Sequence, residues 1–502
     1  MERFPWIDRM PERPRLPVPD YHRLNKGFHA ALLDPANGVL RYAENGHPIF
    51  GAYVQSPSNE MVTWGILAIG EWICGRDAAW LKETYQDFFV EKTGLYMNSP
   101  GSMRSEHWYL FYVNILAGAV MRTLYAGDAA ARERMGRSAD GMLRLARRLD
   151  YDFNQQGYLF DEDRPFTHKA IYRQPDSIAG FAYNMLFAAL QAGRPQYLEE
   201  SYQALRRYQA FEENPWYEIP NGSAGLMAAV WLDAHGRALD VRRIAGWIFD
   251  HEKGPLQVGK WDDEEIDGLM MGWRGDTRRQ AEDAAYSMET LMPLQFLLPA
   301  LRYAPGLADA VGKYVRCVLS NFQLFYAKGT RPLYETRPDL DANIPYERLD
   351  RERNGHTPAA CGDFYGHRSV YGAGYLYWLE ALARPTENPD IFALDLSLTD
   401  WLASERYPVF LLRNPGEEPA LVSFEPAQIW RTLQPELYPQ GRLRFTLWEM
   451  DPLRALETQE GRARLRLPPH GLRMAALLPE GRRAERKNGF ITCAGAELRR
   501  DE

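Results

Sequence analysis

One unit recurs six times in residues 1–385, and it constrains the fold more than any other feature of the chain. A polar stretch rich in Gly, Pro and Asn leads into a helix that is apolar all round and carries small residues. A turn follows, then a longer, charged, amphipathic helix. The apolar helices are expected from Ser58 (SNEMVTWGILAIGEWI), Ser105 (SEHWYLFYVNILAGAVM), Asp176 (DSIAGFAYNMLFAAL), Asn221 (NGSAGLMAAVWLDA), Ala281 (AEDAAYSMETLMPLQFLLPAL) and His367 (HRSVYGAGYLYWLEAL). Amphipathic partners are expected from Tyr21, Arg76, Ala129, Pro195, Leu239 and Pro305.

A helix apolar on every side has to be buried on every side, whereas a one-sided stripe belongs at a surface. Six buried helices inside six amphipathic ones predict a mainly α protein built on an (α/α)6 barrel. The helix from Tyr21 would pair with the last apolar helix and close the ring. An open solenoid would repeat more evenly; here the intervals run from roughly 45 to 85 residues. After about Pro385 the pattern becomes short alternating runs split by Pro, Gly and Asn, such as YPVFLLRNP, PALVSFEPA and RLRFTLWEM. These predict a C-terminal antiparallel β-sandwich over residues 386–482, with 483–502 a charged tail.

The 502 residues carry a net charge of −8 with no long basic run, which argues against nucleic acid as a partner. No segment approaches the ~18 apolar residues of a membrane span, and the N-terminal stretch lacks the apolar centre of a secretion signal. The four cysteines, Cys74, Cys317, Cys361 and Cys493, form no CxxC or zinc-finger spacing. A soluble, cytoplasmic protein without metal or cofactor is expected, and a homo-oligomer is compatible with the sequence. Aromatics reach 13%, with 14 Trp and 28 Tyr, a composition that suits both a packed core and stacking on sugar rings.

If all inner helices run the same way, the polar residues before each of them meet at one mouth. That set holds Asn59, Glu60, Glu106, His107, Trp108, Asp176, Asn221, Glu282, Asp283, Asp363, Tyr365 and His367. Nearby loops add Arg104, Lys169, Arg173, Trp216, Tyr217, Trp261, Trp273, Arg274 and Arg278. Asp176 and Asn221 are equally good N-caps, since their side chains can accept from the free amides of a first helical turn. Convergence favours chemistry: glycoside cleavage uses two carboxylic groups, one to donate a proton and one to act as base or nucleophile. Asp176 is expected as principal acid/base and Glu106 as its partner, with Glu282, Asp283 and Asp363 in reserve. Arg104, His107, Trp108, Arg173, Asn221, Trp216, Trp273, Arg274, Tyr365 and His367 are expected to bind substrate. The acidic run KWDDEEIDG reads as a solvated charge cluster.

RQPDSIAGFAYNM resembles the pattern around the catalytic Asp of the unsaturated glucuronyl and rhamnogalacturonyl hydrolases, which are (α/α)6 glycosidases. In them a second acid opens the preceding inner helix, where this chain has Glu106. The resemblance implies a glycoside hydrolase acting on an oligosaccharide, with the arginines suited to a uronic acid. Asp451 to Leu478, with its LPPHGLRMAALL strand, resembles the last strands of the C-terminal β-domain of amylase-type glycosidases. The alternatives on the same fold are a polysaccharide lyase, with Tyr365, His367 or His107 as base, and a carbohydrate-binding protein without catalysis.

Overall fold

The structure, a computed structural model, describes residues 2–261, 264–274, 284–326, 343–350, 368–438, 445–456, 458–459 and 462–501. Its helices are α1 (Pro5–Arg9), α2 (Tyr21–Leu33), α3 (Met61–Ile73), α4 (His107–Arg122), α5 (Ala129–Arg148), α6 (Ser177–Gln191) and α7 (Tyr197–Gln209). They continue with α8 (Ile219–Ala234), α9 (Val241–Ile248), α10 (Ser287–Leu291), α11 (Leu294–Tyr303), α12 (Ala308–Asn321), α13 (Val370–Leu382) and α14 (Trp430–Leu433).

The helices expected to be apolar all round are buried all round. Nearly every residue of α3, α4, α6, α8 and α13 is buried. In α5 burial follows a stripe through Ala131, Met135, Ser138, Ala139, Met142, Leu145 and Ala146, the spacing of one helical face. The amphipathic helices begin on conventional caps: the carboxylates of Asp20, Asp128 and Asp240 accept from the amides of Arg23, Ala131 and Arg243 at 2.8–3.0 Å.

The buried helices pack in a cycle. α3 meets α4, α4 meets α6, α6 meets α8, and α8 meets α11; α10 meets α13, which returns to α3. Glycines let them approach closely: a Cβ on Gly180 would lie 2.2 Å from Oδ1 of Asn221, and one on Gly225 2.6 Å from the Ala179 Cβ. Outside the cycle, α5 lies on α4 and α6, α7 on α6 and α8, α9 on α8, α12 on α11, and α2 on α13.

Three expected helices differ. The helix from Pro305, expected as amphipathic, is buried at every residue of α12 but Asp309, because α1 and the strand Val409–Arg413 pack on it as well as α11. The segment after Arg76 forms 3₁₀ turns over Ala79–Phe88. The fifth apolar helix begins at Ser287 and breaks into α10 and α11 around Pro293, whose ring removes an amide donor from the helix interior.

The two ends of the cycle are finished differently. At the C-terminal ends, Arg122 closing α4 donates to the Ala403 carbonyl at 2.7 Å, and Gln191 closing α6 donates to that of Leu402 at 2.6 Å. Arg302, near the end of α11, pairs with Asp400 in full burial and donates to the Leu498 carbonyl at 3.0 Å. Residues 399–404 and 497–498 therefore cover this end.

They belong to an all-antiparallel C-terminal part. Six strands run in the order Ala383–Pro385, Phe392–Asp395, Val409–Arg413, Leu472–Pro479, Phe445–Met450, Leu453–Leu456. A second sheet orders Ala420–Phe424, Arg462–Leu467, Thr458–Gln459, and the two touch where Phe410 meets Phe424 edge-on at 5.5 Å. The PHG turn carries the chain from one sheet to the other. Only glycine fits at Gly471, where a Cβ would sit 2.2 Å from the Pro468 ring. Residues after Arg482, expected as a tail, instead form a three-stranded meander (Glu485–Lys487, Phe490–Cys493, Ala496–Arg500) with Ile491 and Leu498 fully buried.

No helix among the described residues is long and apolar enough to cross a membrane. Cys74, Cys317 and Cys493 are free thiols, and Cys361 lies outside the described residues.

Candidate active site

At the other end of the cycle the helix N-termini are tied to one another. The Trp108 amide in the first turn of α4 donates to Oε1 of Gln174, just before α6, at 2.8 Å. Asp176, before α6, accepts from the Tyr217 and Glu218 amides, before α8, at 3.0 and 3.2 Å. Glu218 forms a backbone bridge with Trp273. The Ser287 amide of α10 donates to the Glu347 carbonyl at 2.9 Å, and the Val370 amide of α13 to that of Ala52 at 2.9 Å. Tyr53, before α3, and Tyr371 of α13 share a hydroxyl–hydroxyl hydrogen bond.

Each stave brings an acid to this end. Glu60, Glu106, Asp176 and Glu218 occupy the residue immediately before α3, α4, α6 and α8. Glu289 lies in α10, and Glu347 reaches the hydroxyls of Tyr53 and Tyr371, at 2.6 and 3.1 Å, beside α13.

None of the first four caps its own helix. Asp176 has helical backbone angles (φ −69°, ψ −12°), so its carboxylate turns from its own first turn to the neighbouring loop. Capping thus explains the residue type wrongly: Asp176 fixes the entry to α8. Burial raises its pKa to about 7, against the pull of the two amides. Its other oxygen, Oδ1, is buried with no hydrogen-bond partner.

Glu218 is set by that contact. Burial first, then the neighbouring carboxyls of Glu289, Asp176 and Glu106, push it well above the usual carboxylate range. Its Oε2 has no hydrogen-bond partner. Burial raises Glu289 to about 8 and Glu347 to about 7. Burial also raises Glu60, whose Oε2 accepts from Asn98 at 3.2 Å. Glu106 differs: it is partly exposed, and both its oxygens are acceptors, from Gln156 at 3.0 Å and Gln174 at 2.8 Å. The Tyr109 phenol feels Glu60, Glu106 and Glu218 at once, which places acids of α3, α4 and α8 about one side chain.

Aromatic rings wall this end. Trp108 and Tyr109 stack at 3.8 Å, and Trp273 lies 5.6 Å from Tyr172 and 6.3 Å from Tyr217. Trp216 is buried beside them in sequence.

Two of the expected substrate contacts, His107 and Asn221, are packed in the interior. His107 is fully buried edge-on to Phe153 at 5.3 Å, and burial lowers its pKa to about 3, so it is neutral and part of the packing. Asn221 is also fully buried, one turn into α8, bonding the Ser177 hydroxyl at 3.3 Å between α6 and α8. Arg104 lies over the Phe166 ring and 3.1 Å from Nε2 of His168. Arg173 and Arg274 are exposed, and the Arg274 amide donates to the Tyr217 carbonyl at 3.0 Å. In the acidic run, Glu264 is buried and pairs with Arg15, Trp261 is buried too, and Lys260–Trp261 pairs with Glu264–Glu265, so these described residues are docked and are not a solvated cluster. Glu282, Asp283, Arg278, Asp363, Tyr365 and His367 lie outside the described residues.

Sequence reasoning missed Glu218, Gln174, Glu289, Glu347, Tyr53 and Tyr371. For Glu218 the signal was present: Pro220 marks a first helical turn, so the helix starts before Asn221 and the preceding acid repeats the position of Glu60, Glu106 and Asp176. Among the described residues no group of His, Cys, Asp and Glu is arranged to hold a metal ion.

No family model matches the chain. No curated protein matches it either. Among solved structures it is similar to a family 76 glycoside hydrolase from a bovine Bacteroides thetaiotaomicron strain, at 11% identity and a TM-score of 0.43, over 72% of this chain and 78% of that one. It is also similar to a GH127 β-L-arabinofuranosidase from Geobacillus stearothermophilus T6, at 10% identity and a TM-score of 0.36, over 95% of this chain and 79% of that one. Both of these solved structures are glycoside hydrolases.

Proposed function

We propose that the chain is a glycoside hydrolase in which the cyclic helices form an (α/α)6 catalytic barrel over residues 1–385. The sheets of 386–482 make a β-sandwich against its far end. The observation that carries the reading is the gathering of a proton-holding acid, Glu218, with an amide-bound, partly exposed acid, Glu106, at one end of the cycle.

A glycosidic oxygen leaves as an alcohol only when protonated, so the donor has to keep its proton near neutral pH. Burial among three other carboxyls gives Glu218 that property. Glu106, fixed by two amides, serves as the base or nucleophile. Asp176 is a positioning residue that sets the Glu218 backbone. The substrate is an oligosaccharide. A uronate at the reacting sugar is disfavoured, because its carboxylate would meet the like charge of the surrounding acids.

The test is a panel of chromogenic glycosides and glucuronides with Glu218→Gln and Glu106→Gln. Loss of general acid catalysis should lower kcat by ~10²–10⁴ with the circular dichroism unchanged. The wild-type kcat/KM should fall on the alkaline side as Glu218 loses its proton. A fully active Glu218→Gln enzyme overturns the assignment, and a rise in ultraviolet absorbance from an unsaturated product makes the chain a lyase.

A further inference from the structure

Leu33, Tyr42 and Trp80 are three of the five exposed large hydrophobic side chains among the described residues, and all three line one cleft of about 320 Å³. The cleft is remote from the acidic end. Its floor holds Glu71, in the last turn of α3, whereas Glu60 precedes the first, which puts about 16 Å of helix between them.

The cleft is built in two halves. The aromatic half is fixed by the fold: Tyr42 ends a strand paired with Pro48–Phe50, and the Trp80 ring rests edge-on against Phe50 at 6.0 Å. The polar half is fixed by Glu71, only 2% exposed. Its carboxylate holds Nδ1 of His29 at 3.0 Å and faces the Arg76 guanidinium at 3.7 Å. Nδ1 of His29 also meets the Tyr377 hydroxyl at 2.9 Å, and Arg76 lies over the Tyr377 ring at 4.5 Å. His29 and Arg76 are partly exposed yet tethered, so little side-chain entropy remains to be lost on binding.

We infer that this cleft is a second binding site, for a neutral pyranose unit of an oligosaccharide, separate from the acidic end. A pyranose has an apolar C–H face and a rim of hydroxyls. Tyr42 and Trp80 offer the flat apolar surface for the one, and the tethered His29 and Arg76 offer directional groups for the other. A purely apolar partner would cover those polar groups without replacing their water, which costs free energy for each one. A phosphate chain would face the Asp77 carboxylate, which lines the same cleft. The inference stands whether or not the acidic end hydrolyses glycosides.

The test is to follow tryptophan indole signals of the full-length protein by NMR during titration with malto-, cello-, xylo- and mannohexaose. Trp80→Phe identifies the Trp80 signal. With at least one hexaose that signal should shift saturably. The same titration of Tyr42→Ala should show binding weakened about tenfold, with cleavage of small chromogenic glycosides unchanged. The shift should persist in Glu218→Gln, which separates this site from the acidic end. Absence of any shift with all four sugars overturns the inference, as does undiminished binding in Tyr42→Ala. A shift produced only by peptides makes the cleft a protein-docking surface and equally overturns it.

Discussion

Asp176 shows how far a residue type can be read. An Asp before an apolar helix is the sequence signal of an N-cap, and the position is right, but the carboxylate serves the next helix instead. Asp176→Ala would leave two buried amides without an acceptor and should cost about 2–4 kcal/mol in urea unfolding. Asp176→Asn keeps an acceptor oxygen in the same place and should lose much less. If both variants unfold at the wild-type midpoint, the strut is not structural. The acids Glu60, Glu106 and Asp176 were legible because each stands at a helix start. Glu218 was hidden by a helix boundary misplaced by two residues. Glu347 was hidden because its partners, Tyr53 and Tyr371, are about 300 and 24 residues away along the chain.

At the scale of elements, the sequence distinguishes buried helices from covering ones, and it does so through glycines as much as through leucines. Gly180 of α6 faces Asn221 of α8 and Phe111 of α4 with no room for a methyl group. Gly180→Ala should therefore destabilise by about 1–3 kcal/mol, the usual cost of overpacking. Gly246, in the covering helix α9, has nothing within 4 Å of an added Cβ, so Gly246→Ala should stabilise by about 0.5–1 kcal/mol through helix propensity alone. Chemical denaturation of the two variants measures both signs; equal effects would mean that α6 is not packed more tightly than α9. The 3₁₀ turns after Arg76 and the break at Pro293 were less legible, because an apolar period marks which face is buried and not how tightly the backbone winds.

Across the whole molecule, one end of the cycle is sealed and the other is acidic. The seal depends on the buried Arg302–Asp400 pair. Removing one partner of such a pair strands the other charge, so Asp400→Ala should cost about 3–5 kcal/mol. A variant that unfolds like the wild type would show that the C-terminal part contributes little to holding the cycle.

The acidic end has its own signature in pH. Asp176 and Glu347 titrate at about 7 and Glu289 at about 8 in the folded protein, all raised by burial. In the unfolded chain they titrate near 4. Between those values the folded state holds more protons, so the free energy of unfolding falls as pH rises. The thermal midpoint should be higher at pH 5 than at pH 8, and Glu347→Gln should flatten the slope. A midpoint that climbs from pH 5 to pH 8 would contradict this burial of the acids.

The sequence by itself determined that the apolar helices are buried, that antiparallel strands follow them, and that acids stand before several of those helices. These are local properties, set by hydrophobic period and residue type within one segment. Only the tertiary structure decided what each acid does. The environment of a carboxyl is made by residues from other staves: amides from the loop before α8 for Asp176, three foreign carboxyls for Glu218, two distant tyrosines for Glu347. Burial and charge act across space, and a linear chain does not record which of its parts will be neighbours.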